Sequence, residues 1–194
     1  MKSSDTLGRL LKEVRACAIC ESSLPLGPRP VLQCSSNARI LIAGQAPGSK
    51  VHKTGVPFDD PSGNRLRDWL GINQTIFYNP ELVAILPMGF CYPGTSKSGD
   101  LPPRPECAAA WREKLLSKMP KIELTLVIGQ FAQQYHLQTG KESLTERVKS
   151  WQNYWPDVIP LPHPSPRNNR WLKNNPWFEQ TLLPKLKTRV SQLI

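Results

Sequence analysis

The chain contains no apolar run approaching the ~20 residues that a membrane-spanning helix needs. Its first residues, MKSSDTLGRLLKEVRAC, put charges where a signal peptide would carry a continuous apolar stretch, and they read as the start of an amphipathic helix. A membrane span and secretion are therefore not expected, and a cytoplasmic protein is. Cysteine is sparse at five, and without a secretion signal these read as reduced thiols or metal ligands, not disulfides. No internal repeat or low-complexity tract occurs, which excludes a solenoid or a disordered tail. Nothing signals oligomerisation, so a monomer is the default. Acidic residues are also scarce, 15 against 25 Lys and Arg, for a formal charge of +10. With 194 residues the chain suffices for one domain with a proper core.

The basic excess is uneven. From His163 to Ile194 there are six basic residues (Arg167, Arg170, Lys173, Lys185, Lys187, Arg189) and one acid, Glu179, so half of the net charge lies there. A concentration of this kind attracts a polyanion, most commonly nucleic acid; the plainer reading is a solvated, solubilising face.

Four cysteines carry the strongest spacing signal. Cys17 and Cys20 form a Cys-x-x-Cys pair, and Cys91 and Cys107 lie far downstream, sixteen positions apart. Thiolates repel one another unless a cation holds them, so two distant pairs converging on one centre suggest a metal. Such a centre would staple the N-terminal segment, about residues 1–35, onto the rest of the single domain 1–194. Any one cysteine alone is better read as buried packing, and Cys34 is read that way. Spacing does not choose between zinc and an iron–sulfur cluster.

Short apolar runs at 39–43 (RILIA), 82–86 (LVAIL), 124–128 (LTLVI) and 158–161 (VIPL) predict buried strands. Between them lie helical patterns. One opens at Ser62-Gly-Asn-Arg65 with Leu66, Trp69 and Leu70 on one face. Another, Pro105–Lys118, starts with proline in its first turn and sets Ala108, Trp111, Leu115 and Leu116 at inward spacing. Gln130–Leu137, Leu144–Trp151 and Trp177–Val190 follow. Alternating strands and helices predict an α/β fold with a parallel sheet covered on both faces. Ligands then bind in loops at the carboxyl ends of strands.

Three such loops stand out. After the first strand comes Gly44-Gln45-Ala46-Pro47-Gly48, a tight turn whose backbone a ligand can approach closely. Pro57-Phe58-Asp59-Asp60-Pro61 follows, in which Phe58 is either a core plug or a platform for a flat ligand. After the fourth strand, Pro162-His163-Pro164-Ser165-Pro166-Arg167-Asn168-Asn169-Arg170 locks a histidine and an arginine-rich tip into a rigid loop. A preorganised donor there loses little when charge develops on its ligand. His163 is thus a functional candidate, whereas His52 and His136 read as structural or surface residues.

Taken together, Gly44-Gln45-Ala46-Pro47-Gly48, Pro57-Phe58, His163-Pro164-Ser165-Pro166-Arg167-Asn168 and the four cysteines resemble the iron–sulfur branch (families four and five) of the uracil-DNA glycosylase superfamily. The resemblance runs from about Val14 to Trp177. It implies a three-layer α/β/α sandwich around a central four-stranded parallel sheet. It also implies a structural [4Fe-4S] cluster on Cys17, Cys20, Cys91 and Cys107, in preference to zinc. The implied chemistry is hydrolysis of the bond between uracil and deoxyribose, with the base flipped out of DNA. His163 would hydrogen-bond the uracil O2 side, Phe58 would stack on the base, and the backbone around Gln45 and Ala46 would hold carbonyls and the attacking water. Gly44, Gly48, Pro87 and Ser165 would complete the base pocket. Arg167, Asn168, Arg170 and Lys173 would meet DNA.

Two positions depart from the family pattern. The iron–sulfur branch commonly has Glu where this chain has Gln45, and the best-known family has Gln followed by Asp, where this chain has Ala46. The first motif therefore holds no carboxylate, and general-base help is typically worth about 10²–10⁴-fold. Pro87 stands four residues before Cys91, where an Asn often reads the uracil edge. Discrimination would then fall to backbone groups, Gln45 or another side chain. The departures leave open a weaker uracil glycosylase, an enzyme for another damaged base such as hypoxanthine or an oxidised pyrimidine, or a silent nucleic-acid or nucleotide binder.

Overall fold

The computed structural model describes residues 2–97, 99–137 and 140–194. Helix α1 (Lys2–Arg15) leads through an irregular segment to β1 (Ile40–Ala43), α2 (Ser49–Thr54), α3 (Pro61–Leu70) and α4 (Gln74–Phe77). Strand β2 (Val83–Ile85) is followed by a hairpin of β3 (Thr95–Ser96) and β4 (Gly99–Asp100), then α5 (Pro105–Leu116) and β5 (Leu124–Ile128). The last third comprises α6 (Gly129–Leu137), α7 (Leu144–Lys149), β6 (Val158–Leu161), α8 (Asn169–Asn174) and α9 (Leu183–Ser191).

The central sheet has the order β2-β1-β5-β6 and every pair in it is parallel. Side chains alternate across a strand, so each strand serves two cores. Ile40 and Ile42 point with Leu124 and Leu126 into one layer, against Trp69 of α3, Leu186 of α9 and Phe178 just before α9. Leu41 and Ala84 point the other way, against Leu7 and Val14 of α1 and Leu115 of α5. Burial on both faces is why these strands read as unbroken apolar runs. The expected α/β/α sandwich is the observed one, with strand limits within a residue of those predicted.

The two rims of the sheet differ. Along β2, Gln33 forms an isolated antiparallel bridge with Ile85, its N–H donating to the Ile85 carbonyl at 3.0 Å and its carbonyl accepting the Ile85 N–H at 2.7 Å. The Gln33 side chain also donates to the Val83 carbonyl at 2.8 Å. The other rim, β6, carries Pro160.

Three helical expectations are corrected. The predicted Leu144–Trp151 helix ends at Lys149 and passes into a 3₁₀ turn at Trp151–Tyr154. The predicted Trp177–Val190 helix is a π turn, Phe178–Leu182, followed by α9. Pro184 lies in the first turn of α9, where its missing N–H accompanies the change in winding. On α5, Leu115 is buried as expected, but Arg112 is fully buried beside it while Ala108, Trp111 and Leu116 are only half-buried. The Arg112 guanidinium donates to the carbonyls of Leu86 at 3.1 Å and Pro87 at 3.2 Å, and meets His136 Nε2 at 2.6 Å.

Candidate functional site

The carboxyl ends of β1, β2 and β6 open onto a cavity of about 280 Å³. Gly44, Gln45, Ala46 and Gly48 form one wall, Phe58 another, and Pro87, His163, Ser165 and Arg167 complete it. The structure thus gathers the residues singled out from three distant loops. Asp60 and Asp100 also line the cavity, and neither was assigned a part beforehand. Asn168, Arg170 and Lys173 do not line it; Arg170 and Lys173 stand exposed on α8.

His163 is held by its own loop. The Ser165 N–H donates to its Nδ1 at 3.2 Å, and Asn168 Nδ2 donates to its carbonyl at 2.7 Å. Arg65 of α3 clamps the loop from outside, donating to the Ser165 carbonyl at 3.2 Å and to Asn169 Oδ1 at 2.8 Å. An Nδ1 that accepts a backbone N–H leaves the proton of a neutral ring on Nε2. Burial pushes the His163 pKa below its usual value, against an upward pull from Asp60 and Asp100. The ring is thereby a neutral donor through Nε2. Asn168, expected at DNA, spends its amide on this loop instead.

Phe58 has a left-handed backbone, φ 54°, an uncommon conformation for a bulky side chain. The following turn imposes it. Asp60 Oδ1 caps α3 by accepting the Gly63 N–H at 2.9 Å, and Gly63 lies flush against the Phe58 carbonyl, where any Cβ would collide. The ring packs edge-on to Phe77 with centroids 6.1 Å apart, and its tip faces Gly44. One side of an aromatic plane is thus fixed at the cavity wall.

The first and middle loops are pinned together. Met88 N–H donates to the Gly44 carbonyl at 2.9 Å, and Gly89 N–H to the Gln45 carbonyl at 3.0 Å. Gln45 Nε2 donates to the Leu101 carbonyl at 3.1 Å. The Pro87 carbonyl is taken by Arg112, and a proline has no N–H. The middle loop therefore offers the cavity little polar backbone at Pro87, Met88 and Gly89.

The four cysteines singled out by spacing line a second, small cavity of about 20 Å³ with Arg104 and Trp111. Trp111 Nε1 donates to Cys17 Sγ at 3.2 Å and the Phe90 N–H to Cys107 Sγ at 3.3 Å. Burial raises the Cys91 and Cys20 thiols and pushes Cys107 up to about 12, with the neighbouring thiols adding to the rise. Among the described residues, no three His, Cys, Asp or Glu side chains form a ready metal-ion site. Cys34 does not line this cavity, although it packs against the same apolar cluster as Cys107.

His136 is half-buried against Arg112, as expected of a structural histidine. His52 is buried, and among the described residues its Nδ1 has no partner.

A doubly covered parallel sheet with a polar, aromatic-walled cavity at its carboxyl edge defines an α/β ligand-binding or catalytic domain. The family model of the Uracil DNA glycosylase superfamily matches residues 32–187, and the chain belongs to that superfamily. Its members are DNA glycosylases, so DNA is the substrate class. Among the described residues, no helix is long and apolar enough to cross a membrane.

Proposed function

We propose that the protein is a DNA-repair glycosylase that hydrolyses the N-glycosidic bond of uracil, or of a related deaminated or damaged base, flipped out of DNA. The observation that carries this reading is that His163, whose Nδ1 accepts the Ser165 N–H and so leaves Nε2 as the donor of a neutral ring, shares one cavity with a fixed aromatic wall. Cleavage leaves negative charge on the departing base and positive charge on the sugar. A neutral donor stabilises the first without repelling the second, and removing one such donor typically costs about 10²–10³-fold. Phe58 stacks on the base, the loop Gln45–Gly48 holds its carbonyls and the attacking water, and Arg167 grips phosphate at the rim. Arg170 and Lys173 extend the basic path along α8.

Cys17, Cys20, Cys91 and Cys107 fit a [4Fe-4S] cluster: they share one cavity, and indole and backbone N–H groups are directed at two of the sulfurs. Bound there, the cluster would supply structural cross-linking of the N-terminal segment; zinc is the alternative occupant. A second functional reading, a silent nucleic-acid or nucleotide binder, draws on Ala46 and Pro87, which put neither a carboxylate in the first motif nor an amide at the base edge.

The test is base release. Oligonucleotides carrying uracil, hypoxanthine or only normal bases are incubated with anaerobically purified protein and then cleaved by alkali at abasic sites. Cutting at uracil or hypoxanthine is expected, and His163→Ala or His163→Asn abolishes it while DNA affinity changes little. Tight DNA binding with no cut at any base would establish the silent binder. Equal cutting by the His163 variants would remove the role given to that ring.

A further inference from the structure

The first motif lacks a carboxylate, but the cavity does not. Asp60 and Asp100 both line it, and both act on His163. Their situations differ. One oxygen of Asp60 is committed to capping α3 through the Gly63 N–H. Asp100 ends the β3–β4 hairpin, its side chain is exposed to the cavity mouth, and among the described residues no hydrogen bond holds its carboxylate. Its Oδ2 lies close to the first motif: a Cβ built on Gly48 would stand 3.7 Å from it.

The hairpin is docked at both ends of the site. Gln45 Nε2 holds the carbonyl of Leu101, the residue after Asp100. On the other side, Gly99 has φ 129° and lies under the Arg167 guanidinium, which a Cβ there would have to push aside. The backbone there favours glycine, and the absence of a side chain lets the Arg167 guanidinium settle over the hairpin. The hairpin thus bridges the first motif and the His163 loop, and Asp100 is the free carboxylate at that bridge.

We propose that Asp100 is a catalytic residue, the carboxylate that activates water in place of the one missing from the first motif. This rests on the glycosylase reading above. The water oxygen bonds to C1′ as the bond from C1′ to the base nitrogen breaks, its electron pair leaving on the base under the His163 Nε2–H. Asp100 accepts one water proton and passes it to solvent; the released base anion takes up a proton from solvent. The products are an abasic sugar with a C1′ hydroxyl and the free base. Arg167 over Gly99 keeps the hairpin closed while this occurs.

The experiment compares wild type, Asp100→Asn, Asp100→Glu and the double variant Gln45→Glu/Asp100→Asn in single-turnover base release, with DNA affinity measured alongside. General-base help of the usual size predicts a loss of about 10²-fold or more for Asp100→Asn. DNA affinity is expected to hold or tighten, since a negative charge is removed near the phosphates. Asp100→Glu keeps part of the rate. Gln45→Glu restores release in the Asp100→Asn background, a rescue that a merely structural hairpin residue would not give. If wild type cleaves and Asp100→Asn cleaves as fast, the role of Asp100 falls and the glycosylase reading stands. If wild type releases no base from any oligonucleotide, the glycosylase reading falls and the proposal with it.

Discussion

A histidine that donates to a departing base without repelling the sugar cation is best kept neutral, and the surroundings of His163 favour this. Burial lowers its pKa and outweighs the pull of Asp60 and Asp100, so protonation begins below the ordinary 6.5. The expected pH–rate profile therefore has its acid-side midpoint below 6.5. A midpoint above 6.5 would mean that the pull of the carboxylates outweighs burial. Phe58 makes a complementary point at the same scale. Its backbone sits in a region that bulky residues avoid, and the Asp60 cap and Gly63 hold it there. Strain of this kind, on the order of 1–3 kcal/mol, persists where the surroundings fix a side chain for use.

Among the elements, α5 and α6 support the middle loop through Arg112 and His136. Burial, then the Arg112 charge, pushes His136 down to about 3, while burial lowers Arg112 to about 10. In the unfolded chain His136 takes a proton near 6.5, and in the folded protein not until about 3. Between those values the unfolded state holds the extra proton, so stability falls as pH falls, by at most about 1.4 kcal/mol per unit. His136→Gln keeps an acceptor for Arg112 without titrating. Its unfolding free energy should depend less steeply on pH over that window, read by denaturant titration beside wild type; equal slopes would discount the pair. The elements also divide into those the sequence announces and those it hides. RILIA, LVAIL, LTLVI and VIPL announce strands because burial on both faces leaves no polar alternation, and loops after strands of a parallel sheet must converge. The β3–β4 hairpin is hidden: two-residue strands carry no periodicity, and its place over the cavity depends on contacts with Gln45 and Arg167 far away in the chain. Arg112 reads as a surface charge on a helix, since nothing local says that two carbonyls at the end of β2 wait for it.

For the molecule as a whole, the cysteine cavity links the N-terminal segment to the body. Cys91→Ala or Cys107→Ala is expected to yield insoluble or markedly less stable protein without the brown colour near ~400 nm of thiolate-bound iron. Cys34→Ala, outside the cysteine cavity and pushed up to about 11 by burial, should keep the colour. A colourless wild type with stoichiometric zinc would replace the cluster with an ion, and a stable Cys91→Ala would make the thiols ordinary packing. The same N-terminal segment has one more consequence. Strands at the rim of a sheet are templates for unwanted pairing with other chains. Gln33 occupies the Ile85 amide and carbonyl on one rim, and Pro160 interrupts the row of donors on the other. The sheet is thereby closed to a fifth strand from outside, and a chain cut to begin after residue 35 would bare β2 as an adhesive edge, with fibrous or amorphous aggregation the expected result.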